Sequence, residues 1–368
     1  MKQRLALLLG VFSVMALSNA IVPVLPAFAE AEVWLQSAIY SAYFVGSFLT
    51  VLPAGVLSDR IGRMPLVKTG LLCTWVSGIL IVLFPGALPV FFARGLEGIG
   101  GGLFVASALS WVNSRPDHKR LSGYFIGALN LGLVVGLLGT GWLEQTVGIT
   151  GGVMLFTAIS FVSFLLSLFL RGDGGAPQQM TGDVAHMVKD YLWLYLSAVV
   201  LVGVTGVVTA LYPEFTGESA AVLSIQIGTM HTATIVTSLI APAFMNRPVP
   251  TIRIAAVVMG AAVLGSFFAP SMSTLAVFLM FATIGGLSGF AINAQLVFLA
   301  ETRLPQGAAM GLFNTSTYAG LALMPFFAGL VAQLAGFGAA FAVSAAATAT
   351  MALTIGWCAC RLPVPESP

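Results

Sequence analysis

The chain has 368 residues, 58% of them hydrophobic and only 8% Asp, Glu, Lys or Arg, with a formal net charge of +2 at pH 7 and a mean hydropathy of +0.99. Ordinary soluble domains carry roughly 45–50% apolar and about 25% charged residues, so a water-soluble globule is excluded. The small net charge says little about partners, and the information lies in where the few charges fall.

A helix needs about 20 apolar residues to cross the hydrocarbon core. Twelve such runs follow one another, near 4–28, 34–57, 66–85, 88–112, 119–143, 149–170, 191–213, 219–245, 252–270, 273–299, 306–332 and 336–359. They are continuous rather than alternating, which predicts transmembrane helices and argues against a membrane barrel. At the start, Lys2 and Arg4 precede an apolar stretch, and Ser18-Asn19-Ala20 resembles a leader-peptide cleavage site. The run continues to Ala29, however, and removing it would leave eleven spans, so it is read as span 1 with Asn19 inside it.

Spans 2 and 3 are joined by the charged stretch Gly55 to Lys68, GVLSDRIGRMPLVK, carrying Asp59, Arg60, Arg63 and Lys68. It marks a place where the chain leaves the membrane, with Gly55 and Gly62 expected to allow a tight turn and close backbone approach. Span 4 holds Arg94 and Glu97, the only fully charged residues well inside a span. Three positions apart, they share one helix face, roughly 9 Å and roughly 13 Å from the outer end of the span at 1.5 Å per residue. Intramembrane ionisable groups are functional candidates because burying them is costly. Two readings follow: a mutual ion pair that stabilises packing, or a Glu97 that binds a proton or a cationic substrate while Arg94 tunes it.

Span 5 carries glycines at 123, 127, 132, 136 and 141, and the least apolar connector, 171–190, falls near the midpoint. This predicts a six-helix half over 1–170, a cytoplasmic linker over 171–190, and a second half over 191–368. In span 8, His231 lies among Gln226, Thr229, Thr232 and Thr234, either as a packing residue or as a coupling group. Asn130, Asn293, Asn314 and Tyr318 are further polar residues within spans. Glycine runs at 98–102 and 285–289 follow no strand and precede no lysine, so they predict close helix packing rather than phosphate loops.

Charge placement supports this order. With the N-terminus inside, every Lys and Arg except Arg94 falls on the cytoplasmic side, whereas the opposite connectors carry only Glu30, Glu32, Glu144, Glu214 and Glu218. Both termini are therefore expected in the cytoplasm. The halves repeat: at an offset of 188, Gly98, Gly101, Gly123, Gly132, Gly141 and Gly148 land on Gly286, Gly289, Gly311, Gly320, Gly329 and Gly336. At an offset of 187, Pro26 and Phe28 land on Pro213 and Phe215. Parallel six-helix repeats are a transporter arrangement with a midplane binding site between the halves.

On these residues the chain resembles the major facilitator superfamily over essentially its whole length. GVLSDRIGRMP is similar to the signature between helices 2 and 3, with Gly55, Asp59, Arg60, Gly62 and Arg63 in place and Met64 where a basic residue is usual. RGLEGIGGG, from Arg94, resembles the helix-4 motif of proton-coupled members, with Glu97 where glutamine is more usual. PQGAAMGLFN, 305–314, resembles the start of helix 11 in the drug-efflux-like, drug:proton antiporter branch. The second copy of the loop signature, around Asn246-Arg247-Pro248, is degenerate, and span 5 lacks the proline of the antiporter motif.

The resemblance implies an all-α integral membrane protein of twelve transmembrane helices in two six-helix pseudo-symmetric halves. It further implies a transporter of the inner or plasma membrane, working as a monomer by alternating access and exporting small amphipathic molecules in exchange for protons. Helices 1, 4, 7 and 10 line the cavity in that family, which points to Asn19, Arg94, Glu97 and Asn293. Asp59 is expected to close the inner gate against the N-terminus of helix 11. The rival readings are an uncoupled facilitator, a lipid or metabolite transporter, and a membrane-embedded enzyme or receptor. No catalytic constellation, zinc-ligand spacing or basic stripe for nucleic acid is present, and Cys73, Cys358 and Cys360 form no disulfide framework. Neither enzyme activity nor a cofactor or metal is expected.

Overall fold

A computed structural model describes residues 2–29, 32–115, 117–170, 184–241, 247–302 and 306–355. Within them the secondary structure is helical, with no strand. The helices are α1 (Lys2–Ala20), α2 (Val33–Ile61), α3 (Arg63–Leu83), α4 (Ala87–Asn113), α5 (His118–Val147), α6 (Gly151–Leu168) and a short α7 (Val184–Asp190). After them come α8 (Leu192–Thr216), α9 (Ala220–Ile240), α10 (Pro248–Met272), α11 (Thr274–Glu301), α12 (Gln306–Ala335) and α13 (Phe337–Thr354). All except α7 are long and apolar enough to cross a membrane, twelve spans among the described residues. Exposed apolar side chains such as Leu49, Phe92, Trp142 and Leu334 are what lipid contact requires, since the tails are as apolar as leucine.

Two boundaries differ from the sequence expectation. Span 1 is not one helix over 4–28: α1 stops at Ala20 and the chain continues as a 3-10 helix, Val22–Phe28. Pro23 and Pro26 remove backbone donors there, which breaks the α-helical ladder. The charged connector between spans 2 and 3 is also mostly helix. The α2 helix runs to Ile61 and α3 starts at Arg63, so Gly62 alone is the joint, with φ +89° in the region that favours glycine. Gly55 sits within α2, and a Cβ there would meet nothing, so it provides neither a turn nor a close approach.

Contacts divide the chain into two units, Met1–Gln178 with Thr209–Gly228, and Gln179–Val208 with Thr229–Pro368. In the first unit, α1 packs on α5 and α6, α2 and α3 pack on α4, and α3 packs on α6. The end of α8 and the start of α9 group with this unit: Gln36 hydrogen-bonds Glu214 at 2.9 Å, and Gly141 of α5 lies against Ser224 and Ala220. The sequence alone assigns those residues to the second half. The inward core here includes Leu7, Val11, Val67, Leu71, Phe104, Trp111 and Phe125.

In the second unit α10 packs on α11 and α13. The α8 helix meets α12 where Gly320 lies against the Val199 backbone, and the Gln295 amide donates to the Ser197 hydroxyl at 3.0 Å.

The same close approach occurs in both units. Gly98 of α4 lies against the Tyr43 carbonyl of α2, and Gly285 of α11 lies against the Met230 carbonyl of α9. The Ser47 hydroxyl donates to the Gly98 carbonyl at 3.0 Å, and the Thr234 hydroxyl donates to the Gly285 carbonyl at 2.9 Å. This fixes the offset at 187 for these helices, so Gly98 corresponds to Gly285 and Gly102 to Gly289. The 188 register expected there is off by one. It holds for α5 and α12, His118–Val147 and Gln306–Ala335, where Gly132 on Phe12 matches Gly320 on Val199. One extra residue in the second unit separates the two registers.

Candidate functional site

Glu97 lies ten residues into the 27-residue α4 helix, about 15 Å along it at 1.5 Å per residue. The Arg94 Nη1 donates to Glu97 Oε2 at 2.7 Å, and the two side chains are 1% and 0% exposed. They are the only charged side chains among the buried described residues. The pair is incompletely satisfied, since Arg94 Nε and Glu97 Oε1 are buried without a hydrogen-bond partner.

Burial follows from the α2–α4 approach. Gly98 admits the α2 backbone so closely that Tyr43 reaches over Arg94, with the guanidinium carbon 4.8 Å from the ring centroid. Tyr40, one turn earlier, is near enough to feel the Arg94 charge and hydrogen-bonds Thr209 of α8. Further along α2, the Gln36 amide donates to the Ala29 carbonyl at 3.0 Å and to Glu214 Oε2 at 2.9 Å. Gln36, Tyr40, Tyr43 and Ser47 thus form a buried polar line on one face of α2, ending at the ion pair. Among the described residues no group of His, Cys, Asp and Glu could hold a metal ion. A buried carboxylate paired with a guanidinium can take and release a proton or bind a charged solute.

The sequence profile of the Major Facilitator Superfamily matches residues 7–306. The chain belongs to that superfamily. It is 31% identical to human sialin over 170 residues, which are 45% of this chain and 33% of sialin. It is 28% identical to the multidrug resistance protein MdtG of Klebsiella pneumoniae over 183 residues, 46% of this chain and 43% of that protein. A Streptococcus pneumoniae multidrug efflux pump, PmrA, is 28% identical over 177 residues, 45% of this chain and 44% of the pump. The chain thus spans less than half the length of these curated relatives. The nucleoside transporter NupG has the same fold, with a TM-score of 0.81 and 13% identity over 96% of this chain and 98% of that one. A D-xylose-proton symporter gives a TM-score of 0.72 at 14% identity over 97% and 96%.

Of the residues expected to act in this superfamily member, the structure brings Arg94 and Glu97 together and surrounds them with tyrosines. Asn19 is in the same unit, but its amide is engaged with the Leu133 carbonyl at 3.2 Å, tying α1 to α5. Asn293, in the other unit, donates back along its own helix to Gly289 at 2.9 Å. His231 is also in that unit, with Nε2 buried and without a partner. Of the loop signature, Gly55, Gly62 and Arg63 are described, whereas the Asp59 and Arg60 side chains, like Pro305, residues 171–183, Cys358 and Cys360, lie outside the described residues. At the start of α1, Arg4 grips Asp117, which precedes α5, through both guanidinium nitrogens at 2.6 and 3.1 Å. Arg115 stacks on Trp111 at 4.1 Å. Partial burial, then the nearby Arg4 and Arg63 charges, lower the Arg115 pKa from its ordinary value.

Sequence reasoning missed Gln36, Tyr40 and Tyr43, the polar face of α2 that leads to the site. Their signal was the spacing 36, 40, 43, 47, which places polar groups at helical intervals on one face of an apolar run.

Proposed function

We propose that this superfamily transporter exports small amphipathic molecules from the cytoplasm in exchange for protons, by alternating access of its two halves. It does so as a monomer in the inner or plasma membrane, with both termini in the cytoplasm. Glu97 is the proton carrier and Arg94 its electrostatic partner. The observation that carries this reading is the buried, incompletely satisfied Arg94–Glu97 pair within the apolar α4 helix. A merely structural ion pair offsets its desolvation only when its remaining donors and acceptors are satisfied, and here one atom on each side is not.

The contrast between the two units supports an amphipathic solute. At the 187 offset, Tyr43, Arg94 and Glu97 correspond to Met230, Phe281 and Ile284, so the counterpart of the charged site is apolar. The similarity to the multidrug resistance protein MdtG and the multidrug efflux pump PmrA is in line with it. Asn19, Asn293 and His231 remain proposed cavity or coupling residues. Gly55, Asp59, Arg60, Gly62 and Arg63 form the proposed gating motif.

Everted vesicles with an acid interior test the reading with ethidium as the probe. Accumulation that collapses when the pH gradient is dissipated, and that is lost in Glu97→Gln, is the expected result. Gradient-independent equilibration at an unchanged rate in Glu97→Gln would instead indicate an uncoupled facilitator.

A further inference from the structure

Arg94 has a second neighbour that the proton-carrier reading leaves unused. The Tyr43 ring lies 4.8 Å from the guanidinium carbon, within the range where a ring face attracts a cation, and Tyr43 is only 3% exposed. The ring is held at both ends. Its backbone carbonyl lies against Gly98, and its hydroxyl stands 2.7 Å from where a Cβ on Gly101 would be. Phe44 meets it edge-on at 5.0 Å.

The transport cycle gives this contact a task. Arginine stays charged in proteins, so when Glu97 takes a proton, a buried cation loses its counter-charge, which is costly. The Tyr43 ring face attracts Arg94 whether or not Glu97 is protonated. We propose that Tyr43 is a positioning residue that holds the Arg94 charge during the half-cycle in which Glu97 is neutral, an inference that rests on the proton-carrier reading of Glu97. The corresponding residue of the second unit, Met230, faces no cation because Phe281 replaces Arg94 there.

The test is a stability cycle that needs no substrate. Unfolding in mixed micelles by SDS titration is compared for Tyr43→Leu and Tyr43→Phe in three backgrounds: native, Glu97→Gln as the mimic of the protonated carboxyl, and Arg94→Met. Tyr43→Leu should lower the folding equilibrium about tenfold more in Glu97→Gln than in the native chain, which is about 1.4 kcal/mol. That excess should vanish with Arg94→Met and be absent for Tyr43→Phe, which keeps the ring. If the Glu97→Gln, Tyr43→Leu chain does not fold, fluorinated phenylalanines at position 43 in Glu97→Gln replace it, with stability expected to fall stepwise with each fluorine. An equal cost of Tyr43→Leu in all three backgrounds, or a flat fluorine series, would overturn the inference. A positive cycle without pH-driven transport by the native protein would remove the proton-carrier role and leave Tyr43 a static support. Transport with a negative cycle would remove Tyr43 alone.

Discussion

Replacing Arg94 with methionine keeps much of the side-chain volume but removes the donor at 2.7 Å from Glu97. The carboxylate, 0% exposed, is then a buried charge without a partner, a situation that costs about 3–5 kcal/mol. It can escape by taking a proton. From a reference pKa of about 4.3, neutralising it costs about 3.7 kcal/mol at pH 7 and about 1 kcal/mol at pH 5, at about 1.36 kcal/mol per unit. Protonation therefore caps the loss, and Arg94→Met should be less stable than native by about 3–4 kcal/mol at pH 7, with most of the deficit gone at pH 5. The double change Arg94→Met with Glu97→Leu removes both charges and should recover stability at pH 7 to within about 1 kcal/mol of native, as apolar replacement of buried pairs often does. SDS titrations at the two pH values measure this. A deficit that is the same at pH 5 and pH 7, or a double variant no better than the single one, would refute the reasoning that Glu97 is held charged by Arg94.

Three further outcomes are expected. Gly98→Ala and Gly285→Ala should each destabilise by about 1–3 kcal/mol by forcing helices apart, whereas Gly55→Ala, in open space on α2, should stabilise by about 0.5–1 kcal/mol; thermal midpoints in detergent separate them. Arg4→Ala breaks a pair whose side chains are 48% and 39% exposed, so its cost should stay below about 1 kcal/mol and shrink further in 1 M salt, measured by the same titration. Asp59→Asn should raise the inward-open population, by up to about thirtyfold for a charge–dipole contact of about 0.3–2 kcal/mol. Distances between spin labels at the C-terminal end of α2 and the N-terminal end of α12 read it, and an unchanged distribution removes the gate role.

The architecture was legible because lipid leaves few options: long apolar runs must be helices, and the sparse charges mark their ends. What the sequence hid was local. The Gly55 to Lys68 stretch looked like a loop because it is charged, yet long cationic side chains can extend from a continuing helix toward water, and only the positive φ of Gly62 breaks the backbone. The repeat was visible in the glycines, but a single extra residue shifted its register between α11 and α12, which composition alone could not locate. Arg94 and Glu97 stood out as charges in an apolar run. Tyr40 and Tyr43 did not, since aromatic residues are ordinary in a span and their meaning comes from the α2–α4 approach. Asn19 shows the converse: a polar residue in an apolar helix whose amide is engaged in helix packing.

Proton exchange at Glu97 is measured most directly by pH-difference infrared spectroscopy of the purified protein, which needs no substrate. A protonated-carboxyl stretch that grows on acidification in the native protein and is missing from Glu97→Gln is the predicted result. Identical difference spectra for the two proteins would contradict it, leaving Arg94–Glu97 a permanent ion pair.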